Sequence, residues 1–292
     1  MIPEGLFEKI RRIEITTRRL VTDFFAGPYE SVFKGKGIEF SEVREYQVGD
    51  DIRMVDWNVT ARTGRLHSKR YIEERELTVV ILADLSASGL FGSVDYVKRE
   101  FMAEVCALIA FSALLNNDKV GLILFTDRVE KFIPPKKGRF HVLRVIRDIL
   151  YFSPKGQKTD IASALRYLND VMPRRCVVFL VSDFLASNFW NLLRTTHKRH
   201  DTICIAVQDP REVQMPQVGL IEFVDAETGK ARLVDTADLA FSRLYGRRGQ
   251  ERWQTLLSEI RKMGMDVVPL MSDQPYIEPL REFFERRQRR RF

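Results

Sequence analysis

The sequence predicts an α/β protein: a doubly wound, mostly parallel sheet with one antiparallel edge strand, preceded by an accessory N-terminal segment. Three observations predict it. From Leu77 onward, short β-branched runs alternate with helical patterns, the alternation that builds a parallel sheet covered on both faces. The runs are almost continuously apolar, LTVVILAD being the first, as strands buried on both sides are. The chain has 292 residues, 45% hydrophobic and 30% charged, which is room for one large domain or a medium one with a smaller companion and excludes a disordered chain.

The elements follow in order. Residues 5–22 space Leu6, Ile10, Ile13 and Leu20 as an amphipathic helix does. Over 27–75 the β-prone pieces 31–33 and 67–72 alternate with Gly35, Gly37, Gly49 and Gly64 as turn signals. Strands are expected at 77–83, 120–125, 176–181, 202–207 and 266–270, with a short antiparallel one at 129–133. Helices are expected at 95–116, 139–151, 160–171, 188–199 and 238–263, and a hairpin at 219–234 turning over 225–229. A last helix packs Leu280, Phe283 and Phe284 while Arg286 to Arg291 trail into solvent. The expected division is an accessory segment 1–76, the α/β domain 77–285 and a basic tail 286–292.

Composition narrows the function. The net charge is +7, but Arg286, Arg287, Arg289, Arg290 and Arg291 supply five of those charges and leave +2 for the body. Nucleic-acid binding is therefore not expected; the tail offers at most a contact with an anionic surface or an acidic partner. The first twenty residues hold no apolar core of a signal peptide. The most apolar stretch, 101–115, contains Glu104 and is too short for a bilayer, which takes about 20 residues. Cys106, Cys176 and Cys204 sit in apolar runs and read as reduced, buried thiols. Together these predict a cytoplasmic protein without a transmembrane segment.

In open α/β sheets, ligands sit beyond the carboxyl ends of the strands where strand order reverses. The first core strand ends in Asp84-Leu85-Ser86-Ala87-Ser88, one carboxylate and two hydroxyls on alternate residues. The 176–181 strand ends in Ser182-Asp183, and Lys158-Thr159-Asp160 precede a helix. Asp84, Ser86, Ser88, Thr159 and Asp183 thus form an all-oxygen set. Hydroxyls and carboxylates without His or Cys suit a hard, water-retaining cation, Mg²⁺ first and Mn²⁺ second, and disfavour zinc. Two carboxylates leave such an ion electrophilic, with a position that a partner's acidic group can complete.

DLSAS, Thr159 and Asp183, in that order and on those elements, resemble the metal-ion-dependent adhesion site of von Willebrand factor type A domains. The upstream segment GKGIEFSEVREYQVGDDIRMVDWNVTARTGRLHSKRYIEERE resembles the signature of domain of unknown function family fifty-eight, bacterial proteins with a type A domain. The resemblance implies a Rossmann-like type A fold, with Ser86, Ser88 and Thr159 contacting the metal and Asp84 and Asp183 acting directly or through water. It also implies a partner, a MoxR-type AAA+ ATPase or its client, in chaperone-like assembly or maturation. One departure stands out: many such sites continue with Met after the second serine, whereas this chain runs Ser88-Gly89-Leu90.

The expected function is therefore a non-enzymatic, metal-dependent protein-interaction module. The competing class is a Mg²⁺-dependent phosphatase-like hydrolase, which needs a second aspartate two residues after the first as its acid/base; Ser86 stands there. Asp50, Asp51 and Asp56 beside Arg44, Arg53, Arg62 and Arg70 read as an ion-pair ladder. Gly35-Lys36-Gly37 lacks phosphate-loop spacing and reads as a turn. His67, His141, His197 and His200 show no dyad or zinc spacing.

Overall fold

The structure, a computed structural model, describes residues 39–72, 77–90, 98–224 and 231–290. The helix expected over 5–22, the β-prone piece 31–33, the Gly35–Gly37 turn and the tip of the hairpin lie outside the described residues.

In the accessory segment, β1 (Glu39–Glu45) pairs antiparallel with β2 (His67–Ile72). Between them come a 3₁₀ turn (Ile52–Met54) and a helix, α1 (Trp57–Thr63), neither expected from periodicity because both are shorter than the window a periodic pattern needs. Each is opened by an aspartate: Asp51 accepts from the Arg53 amide, Asp56 from those of Asn58 and Val59. Asp50 also pairs with Arg44 at 2.6 Å and Asp56 with Lys69 at 3.6 Å. These carboxylates hold local structure, but of the arginines in the expected ladder only Arg44 pairs with one of them among the described residues, the other carboxylates being caps or a lysine's partner.

The central sheet has six strands: β3 (Thr78–Asp84), β4 (Lys119–Phe125), β5 (Val129–Lys136), β6 (Val177–Ser182), β7 (Asp201–Gln208) and β10 (Asp266–Met271). Their spatial order is β10-β7-β6-β3-β4-β5, parallel except for the β4–β5 pair. Pro134, Pro135 and Pro269 fall in the two edge strands, where a missing amide breaks no ladder between two neighbours. A separate hairpin, β8 (Leu220–Val224) with β9 (Ala231–Asp235), interrupts the alternation where expected.

Side chains alternate across the strands into two cores. Val79, Ile81 and Ala83 face α2 (Lys98–Leu115), α3 (Arg139–Tyr151) and α7 (Ile277–Arg289). Val80 and Leu82 face α4 (Ile161–Val171), α5 (Trp190–Arg199) and α6 (Leu239–Lys262). This is a doubly wound α/β architecture. Helix α2 is apolar on nearly every side because it lies in the core, and no helix of the described residues is long and apolar enough to cross a membrane. All three cysteines are buried and free.

The C-terminal expectation needs correction. Leu280, Phe283 and Phe284 are buried as read, but α7 continues to Arg289 and its arginines do not all trail away. Arg287 pairs with Asp201 and Asp266 at the starts of β7 and β10, and Arg290 reaches Asp266 at 3.2 Å. The packing of α7 against the sheet brings the last helical turn over two carboxylates that lie far away in sequence.

Candidate metal centre

Strand β3 is central: the chain leaves it for β4 and β5 on one side, then returns to its other side as β6. That reversal opens a crevice at the carboxyl ends of β3 and β6. Asp84 is the last residue of β3 and Asp183 the first after β6, so both carboxylates stand at the mouth of the crevice.

The β3 loop turns tightly. Asp84 Oδ1 accepts from the Ser86 amide at 2.9 Å, and the Ser86 and Ser88 hydroxyls lie 2.9 Å apart. Ser182 donates its hydroxyl to Asp84 Oδ2 at 2.6 Å, locking the end of β6 to the end of β3. The loop before α4 is tied to the segments that follow β3 and β4: the Ala87 amide donates to the Gln157 carbonyl at 2.9 Å, and the Asp160 amide to the Thr126 carbonyl at 2.8 Å. Half-buried Thr159 lies between these tethers, while Asp160 caps α4 by accepting from the Ser163 amide. Glu130 buttresses the same loop, accepting from the Lys155 and Gly156 amides and the Thr126 hydroxyl. Backbone bonds thus bring the three predicted segments together.

The electrostatics contain a feature the sequence reading missed. Asp183 Oδ2 accepts from the Lys98 ammonium at 2.7 Å, and Glu212 accepts from the same ammonium at 2.7 Å; Lys98 is only 1% exposed. Burial alone would lower the Lys98 pKa, but Asp183 and Glu212 together outweigh it and raise it. Burial raises Glu212 against the pull of Lys98. The carboxyl of Asp84 is pushed up to about 6, chiefly by burial and then by the charge of Asp183, with Ser182 and Ser86 pulling it back. Asp183 and Glu212 thus share one buried ammonium, with the Arg252 guanidinium 3.8 Å from Glu212, while Asp84 is held by the Ser86 amide and the Ser182 hydroxyl.

A signal for Lys98 was present. With Phe101, Met102 and Val105 it shares the i, i+3, i+4, i+7 stripe of α2, and a lysine on a core-facing stripe demands an acidic partner. Its partners lie 85 and 114 residues away, so spacing could not name them. The Asp183 loop is also strained: Phe184 has a φ of 56°, uncommon for a side chain with a Cβ, and is held there by donating its amide to Ser182 and packing on Phe189. Elsewhere, the buried His200 ring nitrogen lies 3.3 Å from both the amide and the sulfur of Cys176, a pairing absent from the spacing. Burial pushes that thiol up to about 12, which makes the pair structural.

Among the described residues no three His, Cys, Asp or Glu side chains are grouped to hold an ion. The donors gathered here are instead two carboxylates and neighbouring hydroxyls, an oxygen set of the kind that suits Mg²⁺ or Mn²⁺ retaining water.

The chain is 31% identical over 283 residues to an uncharacterized protein of Mycobacterium tuberculosis, an alignment covering 96% of this chain and 89% of that one, and equally so to one of Mycobacterium bovis. It is 28% identical over 109 residues to the uncharacterized protein YeaD of Bacillus subtilis, covering 37% and 25% of the two. A solved structure described as conserved hypothetical protein BatB from Bacteroides thetaiotaomicron aligns with a TM-score of 0.47 at 15% identity, covering 73% of this chain and 99% of that one. The family described as "Protein of unknown function DUF58" matches residues 42–255, and the chain belongs to that family.

Proposed function

We propose that this chain is a non-enzymatic, divalent-metal-dependent protein-interaction module, with a von Willebrand factor type A-like domain whose adhesion-type site is Asp84, Ser86, Ser88, Thr159 and Asp183. The observation that carries the reading is the pair of buried, hydroxyl-flanked carboxylates, Asp84 and Asp183, at the strand-order reversal. When bound, Mg²⁺ supplies Lewis acidity toward an incoming carboxylate; Mn²⁺ is the second choice. The protein's own residues do the rest. Ser182 and the Ser86 amide orient Asp84. The Leu185 amide orients Asp183, while Lys98 shares its charge. Nucleophilic chemistry at Asp84 is disfavoured, because both its oxygens are engaged, it is 2% exposed, and no acid/base carboxylate stands two residues on.

The partner we propose is a MoxR-type AAA+ ATPase or its client in the cytoplasm, on the resemblance of the 35–76 segment and the DLSAS motif. The test is a titration of purified ATPase at fixed ionic strength, with and without Mg²⁺, for wild type and Ser86→Ala/Ser88→Ala. Binding is expected to weaken both in EDTA and in the double variant. Identical affinities in all four conditions reject metal-mediated recognition.

A further inference from the structure

A second site lies against Glu212. The first half of α6 and the 3₁₀ turn Pro210–Glu212 enclose a cleft of about 310 Å³, walled by Phe241, Leu244, Tyr245, Arg248, Arg252 and Glu212. The sequence builds the approach deliberately. A Cβ on Gly246 or Gly249 would run into the carbonyls of Val213 and Glu212, so only glycine lets α6 lie this close to the turn. Tyr245 donates its hydroxyl to the Arg211 carbonyl at 3.0 Å, pinning helix to turn from inside.

The charges in the cleft do not balance. Arg248 has no acidic partner among the described residues, and Arg252 comes no closer than 3.8 Å to Glu212, whose other oxygen is held at 2.7 Å by Lys98. Lys98, Arg248 and Arg252 against Asp183 and Glu212 leave one positive charge in excess. Arg243 and Arg247 lie on the adjoining face of α6 and do not line the cleft, and Arg247 is paired with Glu251 at 2.7 Å. On the turns of α6 that precede Arg248 the wall is apolar: Leu244 is 49% exposed, and the Phe241 and Tyr245 rings lie side by side with centroids 6.2 Å apart.

We propose that this cleft docks an acidic, leucine- or phenylalanine-bearing peptide segment of a partner protein. A guanidinium fork takes a carboxylate in two parallel hydrogen bonds. An apolar side chain one or two residues along covers Leu244 and the Phe241 ring, surface that a bare phosphate would leave wet. The excess of one charge is met by one carboxylate. None of its walls belongs to the β3 or α4 loops, and its one link to the proposed metal centre is Glu212, which shares Lys98 with Asp183.

The test is fluorescence anisotropy of a fluorescein-labelled peptide alternating Glu and Leu, titrated with the full chain, beside a peptide with Lys in place of Glu. The Glu–Leu peptide is expected to bind, and Arg248→Gln/Arg252→Gln to weaken it by about tenfold or more, as loss of close interfacial charge pairs does. Both arginines are exposed, so the fold is expected to survive, and an unchanged melting temperature checks it. Leu244→Ser is expected to weaken binding without altering its salt dependence. EDTA is expected to leave binding unchanged, which separates this site from the proposed metal centre. Absence of binding, equal binding of the Lys peptide, indifference to the arginine pair, or loss in EDTA each overturns the proposal, the last by moving the carboxylate to the metal.

Discussion

Asp84→Asn is expected to stabilise the metal-free protein at neutral pH. Asp84 is 2% exposed and its carboxyl titrates at about 6 in the folded state, against an ordinary 3.8, because burial and Asp183 oppose its charge. An acid whose folded pKa is raised holds its proton in the fold at pH values where the unfolded chain has already released it. Stability is then greatest below about pH 4 and falls as pH rises through about 6, the whole difference amounting to about 3 kcal/mol. Asparagine cannot ionise and escapes that cost. Its carbonyl still accepts from the Ser86 amide, but its amide group cannot accept from Ser182, a loss of about 1 kcal/mol. The net gain expected at pH 7.5 in EDTA is about 2 kcal/mol. Urea denaturation of both proteins from pH 4 to 7.5 measures it. The wild type is expected to lose stability relative to the variant across that window, with the order of the two reversing near its acid end. Parallel profiles would refute the reasoning, since they would mean that the buried carboxylate costs nothing to ionise. With Mg²⁺ added, only the wild type is expected to gain, because a ligand that binds the fold alone stabilises it. The variant would then be the more stable protein and the less functional one.

Three other outcomes are expected. Lys98→Met leaves Asp183 and Glu212 facing each other in the interior and should cost about 3–5 kcal/mol at pH 7.5, with part regained in Lys98→Met/Glu212→Gln; a loss below about 1 kcal/mol would show that water reaches the cluster. Arg287→Gln removes the link from α7 to Asp201 and Asp266 and should lower stability by about 1–2 kcal/mol in low salt, whereas a free tail would show no change in the urea midpoint. At Gly156 an added Cβ overlaps the Asp127 carboxylate and the Thr126 hydroxyl; Gly156→Ala should cost about 1–3 kcal/mol and, by shifting the loop that carries Thr159, blunt the melting-temperature response to Mg²⁺, an effect absent if Thr159 plays no part.

The local grammar of the chain was sufficient for the sheet. TVVILAD, KVGLILF and VVFLVS are apolar without a break because both faces of a central parallel strand are covered, and the prolines of IPPK and VVPL declare edge strands. The ends of two such strands carry Asp84 and Asp183, and the rule that ligands gather at carboxyl ends made both legible. What periodicity could not supply was partnership across the fold. Lys98 reads as one more charge in KREF until α2 is laid on the sheet and its ammonium meets carboxylates 85 and 114 residues further along. Arg287 reads as one of a run of arginines until α7 packs and sets it over Asp201 and Asp266, while Arg286 and Arg289 in the same run have no ion pair among the described residues. Gly246 and Gly249 look like poor helix formers until the turn at Glu212 is pressed against them. Backbone propensity and side-chain alternation act over a few residues and are written in the sequence directly. Charge compensation acts through space, and only the folded chain decides which distant groups share a low-dielectric interior.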